Sequence, residues 1–135
     1  MIKTMKFLGR PFMINFPVVS GKQNGQKMGF PTINQNFPVS HIIPSRGIYA
    51  TKSRIDGVEY KSVTNVGSRP TLNGDFVNAE THILDFTGDL YGREVEVEFY
   101  RKIRNEMKFA DISTLRAHIL ADIEFVKSFG YGINN

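Results

Sequence analysis

Pro31, Thr32 and Asn34 lie in the stretch GFPTIN, directly after a segment with glycines at 21, 25 and 29 and lysines at 22 and 27. Proline disfavours a helical conformation for the residue before it, so Phe30 is expected to be extended. An extended continuation turns Thr32 and Asn34 to one side and Ile33 to the other. A hydroxyl and an amide oxygen presented together suit a hard cation such as Mg²⁺ that also takes phosphate oxygens and keeps several waters. The same side chains commonly satisfy backbone groups in turns, so both readings stand. The preceding glycines and lysines can curl N–H and ammonium groups around an anion or simply form a turn. They match neither G-x-x-x-x-G-K-[ST] nor G-x-G-x-x-G.

Other candidates lie further along. In AETHILDF, a strand places Glu80 and His82 on one face and Thr81, Ile83 and Asp85 on the other. Glu80 is then a possible general base at a barrel mouth, or a solvated outward carboxylate; His82 reads as structural. GSRPT, with Arg69, and RNEMKF, with Arg104 and Phe109, read as loops after strands that either close over a ligand or carry only surface charge.

The elements that must position these groups are mostly strands. FMINFPVV, GIYATKSRI, VEYKSVTNV, NAETHILDF and EVEVEFYRKI are short, rich in β-branched and aromatic residues, and separated by Gly, Pro, Asn and Asp. Asp56-Gly57 predicts a type I′ hairpin turn. EVEVEF alternates, with Val95, Val97 and Phe99 facing one way and its glutamates the other. From Ile112 the period changes. Ile112, Leu115, Ile119, Ile123, Val126 and Phe129 form one helical stripe, with Asp111 to cap its start and Gly130 to end it. Many short strands and one late helix predict a mainly β fold, a closed or nearly closed antiparallel barrel covered by that helix. Residues 1–6 read as a leader or linker remnant and 7–135 as a single domain.

Composition narrows the chemistry. With no cysteine, the 135 residues have no disulfide, thiolate metal site or thiol nucleophile, and the three histidines are far apart. No apolar run approaches the roughly 20 residues of a membrane span, so a cytoplasmic location is expected. Residues 1–55 carry eight Lys or Arg and no Asp or Glu, whereas 56–135 carry nine basic and thirteen acidic residues. This asymmetry favours an anionic partner for the first half, either a nucleotide phosphate or nucleic acid. A small basic β-barrel binding RNA or single-stranded DNA is therefore an alternative, with eleven phenylalanines and five tyrosines as stacking surfaces, although no RNP-like aromatic motif occurs.

Taken in order, FLGRPF, KMGFPTIN, RGIYA, NVGSRPT, AETHILDF, GDLYGREVEVEF and the closing KF before a capped helix resemble riboflavin kinase, in particular the C-terminal kinase module of bacterial bifunctional FAD synthetases. The resemblance runs from about Phe7 to Phe129. It implies a six-stranded antiparallel Greek-key β-barrel with a C-terminal helix, and transfer of the γ-phosphate of ATP to the primary hydroxyl of the ribityl chain of riboflavin, giving FMN and ADP. It further implies Mg²⁺ at Thr32 and Asn34, ATP phosphates along Gly21, Lys27, Gly29 and the Pro31 motif, and Glu80 as catalytic base. Arg104, Phe109 and Arg69 are implied contacts of the flavin or of a closing lid. The family motif at 31–34 is usually Pro-Thr-Ala-Asn; Ile33 stands for the alanine and points away from the polar pair. The partners implied are small molecules, with an FMN adenylyltransferase domain upstream in the native chain. The His-x-Gly-His type signature of that second activity does not occur here, so FMN and not FAD is the expected product.

Overall fold

The computed structural model describes residues 6–7, 10–19, 30–38, 42–71, 74–107 and 109–131. The strands are β1 (Lys6–Phe7), β2 (Arg10–Val19), β3 (Ile33–Asn36), β4 (Gly47–Ile55), β5 (Val58–Thr71), β6 (Gly74–Ile83) and β7 (Glu94–Arg104), and helix α1 spans Ile112–Ser128. β1 forms a two-pair hairpin with the start of β2. The other six strands run β2-β3-β6-β5-β4-β7, and β7 pairs with β2 to close the ring, every pairing antiparallel. The order β7-β4-β5-β6 is a Greek key, a hairpin-linked trio with the fourth strand returning beside the first. The predicted six-stranded barrel with a C-terminal helix is therefore the observed fold.

Local signals account for most of these elements. Asp56 and Gly57 both adopt positive φ, 52° and 82°, and join β4 to β5 in the expected tight hairpin. Val95, Val97 and Phe99 face the barrel interior, each no more than 1% exposed, and the glutamates between them face out. Inside, Phe99 meets Phe12 and Tyr49 edge-on at 5.5 and 5.2 Å. Part of the interior is polar. The hydroxyls of Ser53, Ser62, Thr51, Thr64 and Thr81 form a buried hydrogen-bonded row with spacings of 2.7–2.9 Å. Gln35 Nε2 donates to the carbonyls of Phe16 and Val95 at 2.8 and 2.9 Å.

A second core lies on the outside of the barrel. Ala50 and Leu84 from the wall and Phe30 and Tyr131 from flanking segments pack with Ile123 and Val126 of α1. The helix starts as predicted, with the Asp111 side chain accepting from the Thr114 N–H at 2.8 Å. Its end differs from expectation. Phe129 is extended, its N–H bonded to the Val126 carbonyl, and Gly130 does not adopt positive φ. The apolar stripe is also shorter than predicted, because Ile112 is 68% exposed and packing begins at Leu115 and Ile119.

GSRPT is strand and not loop. β5 continues through Thr71, with Gly67 opposite Asn78 and Thr71 opposite Gly74 on β6. β4 begins at Gly47 opposite Val66, so beyond that point β5 pairs, among the described residues, with β6 alone. Among the described residues no strand then pairs with the other side of β5 at Pro70, so its missing N–H breaks no ladder there. Asp85 leaves the predicted strand face for a different reason: β6 ends at Ile83, and Asp85 sits in a turn with φ 60°.

Candidate active site

Strand register brings the polar candidates into one row. Asn34 on β3 pairs with Glu80 on β6, Glu80 with Asn65 on β5, Asn65 with Ile48 on β4, and Ile48 with Arg104 on β7. This row lies on the outer wall of the barrel, because alternation sends Thr81 and Thr64 inward. Glu80 is therefore not at a barrel mouth. It lines a cavity of about 250 Å³ between the wall and α1. Such a volume suits a small molecule, near the lower end of the roughly 300–1,000 Å³ usual for ligand sites.

The Pro31 segment delivers the expected pair. Ile33 packs against the barrel interior, and Thr32 and Asn34 face outward. Thr32 Oγ1 donates to Glu80 Oε2 at 3.1 Å. Asn34, 5% exposed, accepts at Oδ1 from Asn78 Nδ2 at a long 3.5 Å. The carbonyl of Pro31 is bonded to His82 Nδ1 at 2.8 Å, and the His82 ring meets Phe30 edge-on at 5.8 Å. Arg116 of α1 lies over the Phe30 ring at 5.1 Å. His82, structural in the sequence reading, thus anchors the segment that presents Thr32.

The far end of the cavity is closed by a charged clamp. Arg104, the last residue of β7, donates to Asp122 of α1 through Nε at 3.1 Å and Nη2 at 2.8 Å. The two planar groups meet in a bidentate pair, a geometry an ammonium cannot reproduce. The Arg104 guanidinium also lies 5.9 Å from the Phe109 ring, which in turn lies 4.5 Å from the His118 ring. Ile119, Ile123 and Leu115 supply the apolar wall on the helix side, and Glu106 and Met107 the rim.

The structure thus brings Thr32, Asn34, Glu80, Arg104 and Phe109 to one cavity or its edge, with Pro31 anchoring the segment. Gly21, Lys27 and Gly29 lie outside the described residues, as does the side chain of Arg69, whose backbone belongs to β5. Sequence reasoning missed Asn65 and Asp122. Asn65 stood near the end of an apparent strand, and its pairing with Glu80 is a matter of register between strands. Asp122 had one available signal, a carboxylate next to the buried Ile123 of the apolar stripe. Among the described residues, no cluster of His, Cys, Asp or Glu is arranged to hold a metal ion by itself.

Comparison with known proteins gives a consistent family. A family profile described as riboflavin kinase (flavokinase) matches residues 8–129. Among curated proteins, the bifunctional riboflavin kinase/FMN adenylyltransferase of Haemophilus influenzae is 42% identical over 123 residues, covering 90% of this chain and 40% of that protein. The protein of the same description from Bacillus subtilis is 36% identical, covering 85% of this chain and 37% of that one. This chain therefore spans about 40% of the length of the relatives it matches. A crystal structure described as a macrolide-efflux protein from Streptococcus pneumoniae superposes with a TM-score of 0.86 at 30% identity, over 93% of this chain and 41% of that one. Among the described residues no helix is long and apolar enough to cross a membrane.

Proposed function

The chain belongs to the riboflavin kinase family, and from that premise we propose that it transfers the γ-phosphate of ATP to the ribityl primary hydroxyl of riboflavin, giving FMN and ADP. The observation that carries this reading is the contact of Thr32 with Glu80 at 3.1 Å, beside Asn34, on the wall of a cavity with an apolar helical side. Phosphoryl transfer needs alignment of an alcohol and neutralisation of charge on the transferred group, and little covalent chemistry from the protein. Glu80 orients the acceptor hydroxyl and takes its proton as the bond to phosphorus forms. The Thr32 hydroxyl, donating to Glu80, holds that carboxylate in place. The apolar side of the cavity, with Arg104 and Phe109 at its edge, accommodates the isoalloxazine ring. Gly21, Lys27 and Gly29 contact the ATP phosphates, and Arg69 contributes to closure; these roles rest on the family resemblance.

The donor set fits Mg²⁺. Thr32 Oγ1 spends its hydrogen on Glu80 and keeps its lone pairs, and among the described residues Asn34 Oδ1 accepts only the long bond from Asn78. Two neutral oxygens of this kind suit a cation that takes its remaining ligands from phosphates and water. Bound there, Mg²⁺ supplies neutralisation of phosphate charge. The nucleic-acid alternative finds no support: the curated relatives are named for riboflavin kinase, and Glu80, Glu106 and Asp122 line the cavity, where they oppose a phosphodiester backbone. A cytoplasmic location and an upstream FMN adenylyltransferase domain in the native chain complete the reading.

The test is to incubate the protein with riboflavin, ATP and Mg²⁺ and to separate the flavins. FMN is the expected product, and FMN with ATP should give no FAD. Glu80→Gln keeps the shape and an acceptor for Thr32 and removes the base, so the rate should fall about 10²–10⁴-fold. Absence of FMN from folded wild-type protein refutes the kinase reading; full activity in Glu80→Gln removes Glu80 from its role.

A further inference from the structure

Glu80 has a direct partner on each side: Asn34 across β3 and Asn65 across β5. Asn34 belongs to the machinery already described; Asn65 does not. Asn65 lines the cavity, yet its Oδ1 is buried and has no hydrogen-bond partner among the described residues. Buried carbonyl oxygens in native proteins are paired in the great majority, and an orphan in a binding cavity marks a place where a ligand or a water supplies the donor. Among the described residues, the other buried side-chain atoms without a partner, Gln35 Oε1 and Tyr131 Oη, belong to residues that do not line this cavity.

The neighbours of Asn65 indicate what kind of ligand. At Gly67, two residues along the same outer face, the Glu106 carboxylate occupies the space that a side chain would need, and the point where that side chain would begin is 3.7 Å from Asn65 Oδ1. On the other flank is Glu80. Asn65 thus has a carboxylate-bearing residue to either side, Glu106 by way of Gly67 and Glu80 across the strand pair. Acceptors select groups that bring O–H or N–H donors and reject phosphates and carboxylates. A run of adjacent hydroxyls satisfies them; the phosphate end of a nucleotide does not.

We propose that Asn65 is a specificity-determining residue for the phosphoryl acceptor. Its Oδ1 accepts a hydrogen bond from the secondary hydroxyl next to the primary hydroxyl that Glu80 holds. The inference rests on the riboflavin kinase reading and deepens it. Directly opposed residues on antiparallel strands have Cβ atoms about 4.5–5.5 Å apart, close enough for Glu80 and Asn65 to grip neighbouring hydroxyls of one polyol chain. Asn65 takes no proton and touches no phosphate. It fixes which hydroxyl lies against Glu80.

The test compares riboflavin with 4′-deoxyriboflavin, which lacks only that secondary hydroxyl, in wild type and in Asn65→Leu. An unfilled hydrogen bond to a buried oxygen is a roughly 10- to 100-fold effect. Wild type should therefore prefer riboflavin by about that factor in kcat/KM. Asn65→Leu should lose kcat/KM on riboflavin, change little on the deoxy compound, and bring the ratio near one. Should Asn65→Leu fail to fold, judged by its unfolding transition, Asn65→Ala replaces it with the same expectation. A ratio that is unchanged on substitution overturns the assignment, including the case in which only a water fills the site. Wild type that makes FMN with an unaltered ratio in the variant sinks Asn65 alone, whereas wild type that makes no FMN from riboflavin sinks the kinase reading beneath it.

Discussion

Removing Asp122 from the Arg104 clamp tests whether α1 is fastened to the barrel by charge as well as by apolar contact. The side chains of Arg104 and Asp122 are 20% and 7% exposed and share hydrogen bonds of 3.1 and 2.8 Å. Breaking a fully buried pair by deleting one partner costs about 3–5 kcal/mol. Here Arg104 borders an open cavity, keeps a bond to the Asn105 carbonyl at 3.4 Å and lies over the Phe109 ring. Water and these contacts reduce its exposure to the loss, so Asp122→Ala should cost about 2–3 kcal/mol. Arg104→Met should cost about 3 kcal/mol, because it leaves the more buried carboxylate alone. The double variant Arg104→Met, Asp122→Leu replaces both charges by apolar groups and should return to within about 1 kcal/mol of wild type. Urea unfolding of the four proteins measures each value, with unchanged m-values as the check that the unfolded state is comparable. Single-variant losses that add within about 0.5 kcal/mol in the double variant would show that the two groups are not coupled and would refute the argument.

Two further outcomes follow from the packing. Thr64→Val removes the hydroxyl that bonds both Thr51 and Thr81 inside the barrel, at 2.9 and 2.8 Å, and should lower stability by about 1–3 kcal/mol in the same unfolding experiment; an unchanged midpoint contradicts a structural role for the hydroxyl row. Hydrogen bonds from the Thr114 backbone, and then from the Thr114 and Ser113 side chains, hold the Asp111 carboxyl below the usual carboxylate range. A folded pKa below the unfolded one means a contribution that is present above the ordinary Asp value of about 3.9 and is lost as pH falls through the lowered one. Asp111→Asn keeps a cap without a titrating group, so acid titration followed by helix circular dichroism should narrow the gap between wild type and variant only in that acid window.

The parts that were legible in the sequence rest on local physics. Asp56-Gly57 specifies its turn because only a few residue types tolerate two consecutive positive φ angles. Alternation in EVEVEF identifies the inward face of β7, and Asp111 marks the start of α1. The outward pairing of Thr32 with Asn34 follows from extension after Pro31. Where local signals compete with strand pairing they mislead. Gly-Ser-Arg-Pro carries every mark of a loop, yet β6 runs far enough to keep those residues in β5, and among the described residues no strand on the other side needs the N–H that Pro70 lacks. Ile112 continues a helical period but remains exposed, because a period names a face and not what covers it.

By itself, then, the sequence determined the fold class, the helix start, the tight turn and the identity of Thr32, Asn34 and Glu80 as a set worth watching, since each depends on residues close in the chain or on ordered motifs. The tertiary structure decided that Glu80 stands on the outer wall beneath a helix, that Arg104 is held by Asp122, and that Asn65 lies beside Glu80 with an unanswered oxygen. Those facts depend on register between strands and on which face α1 covers, and a one-residue slip in either would send the same side chains to the opposite side of the wall.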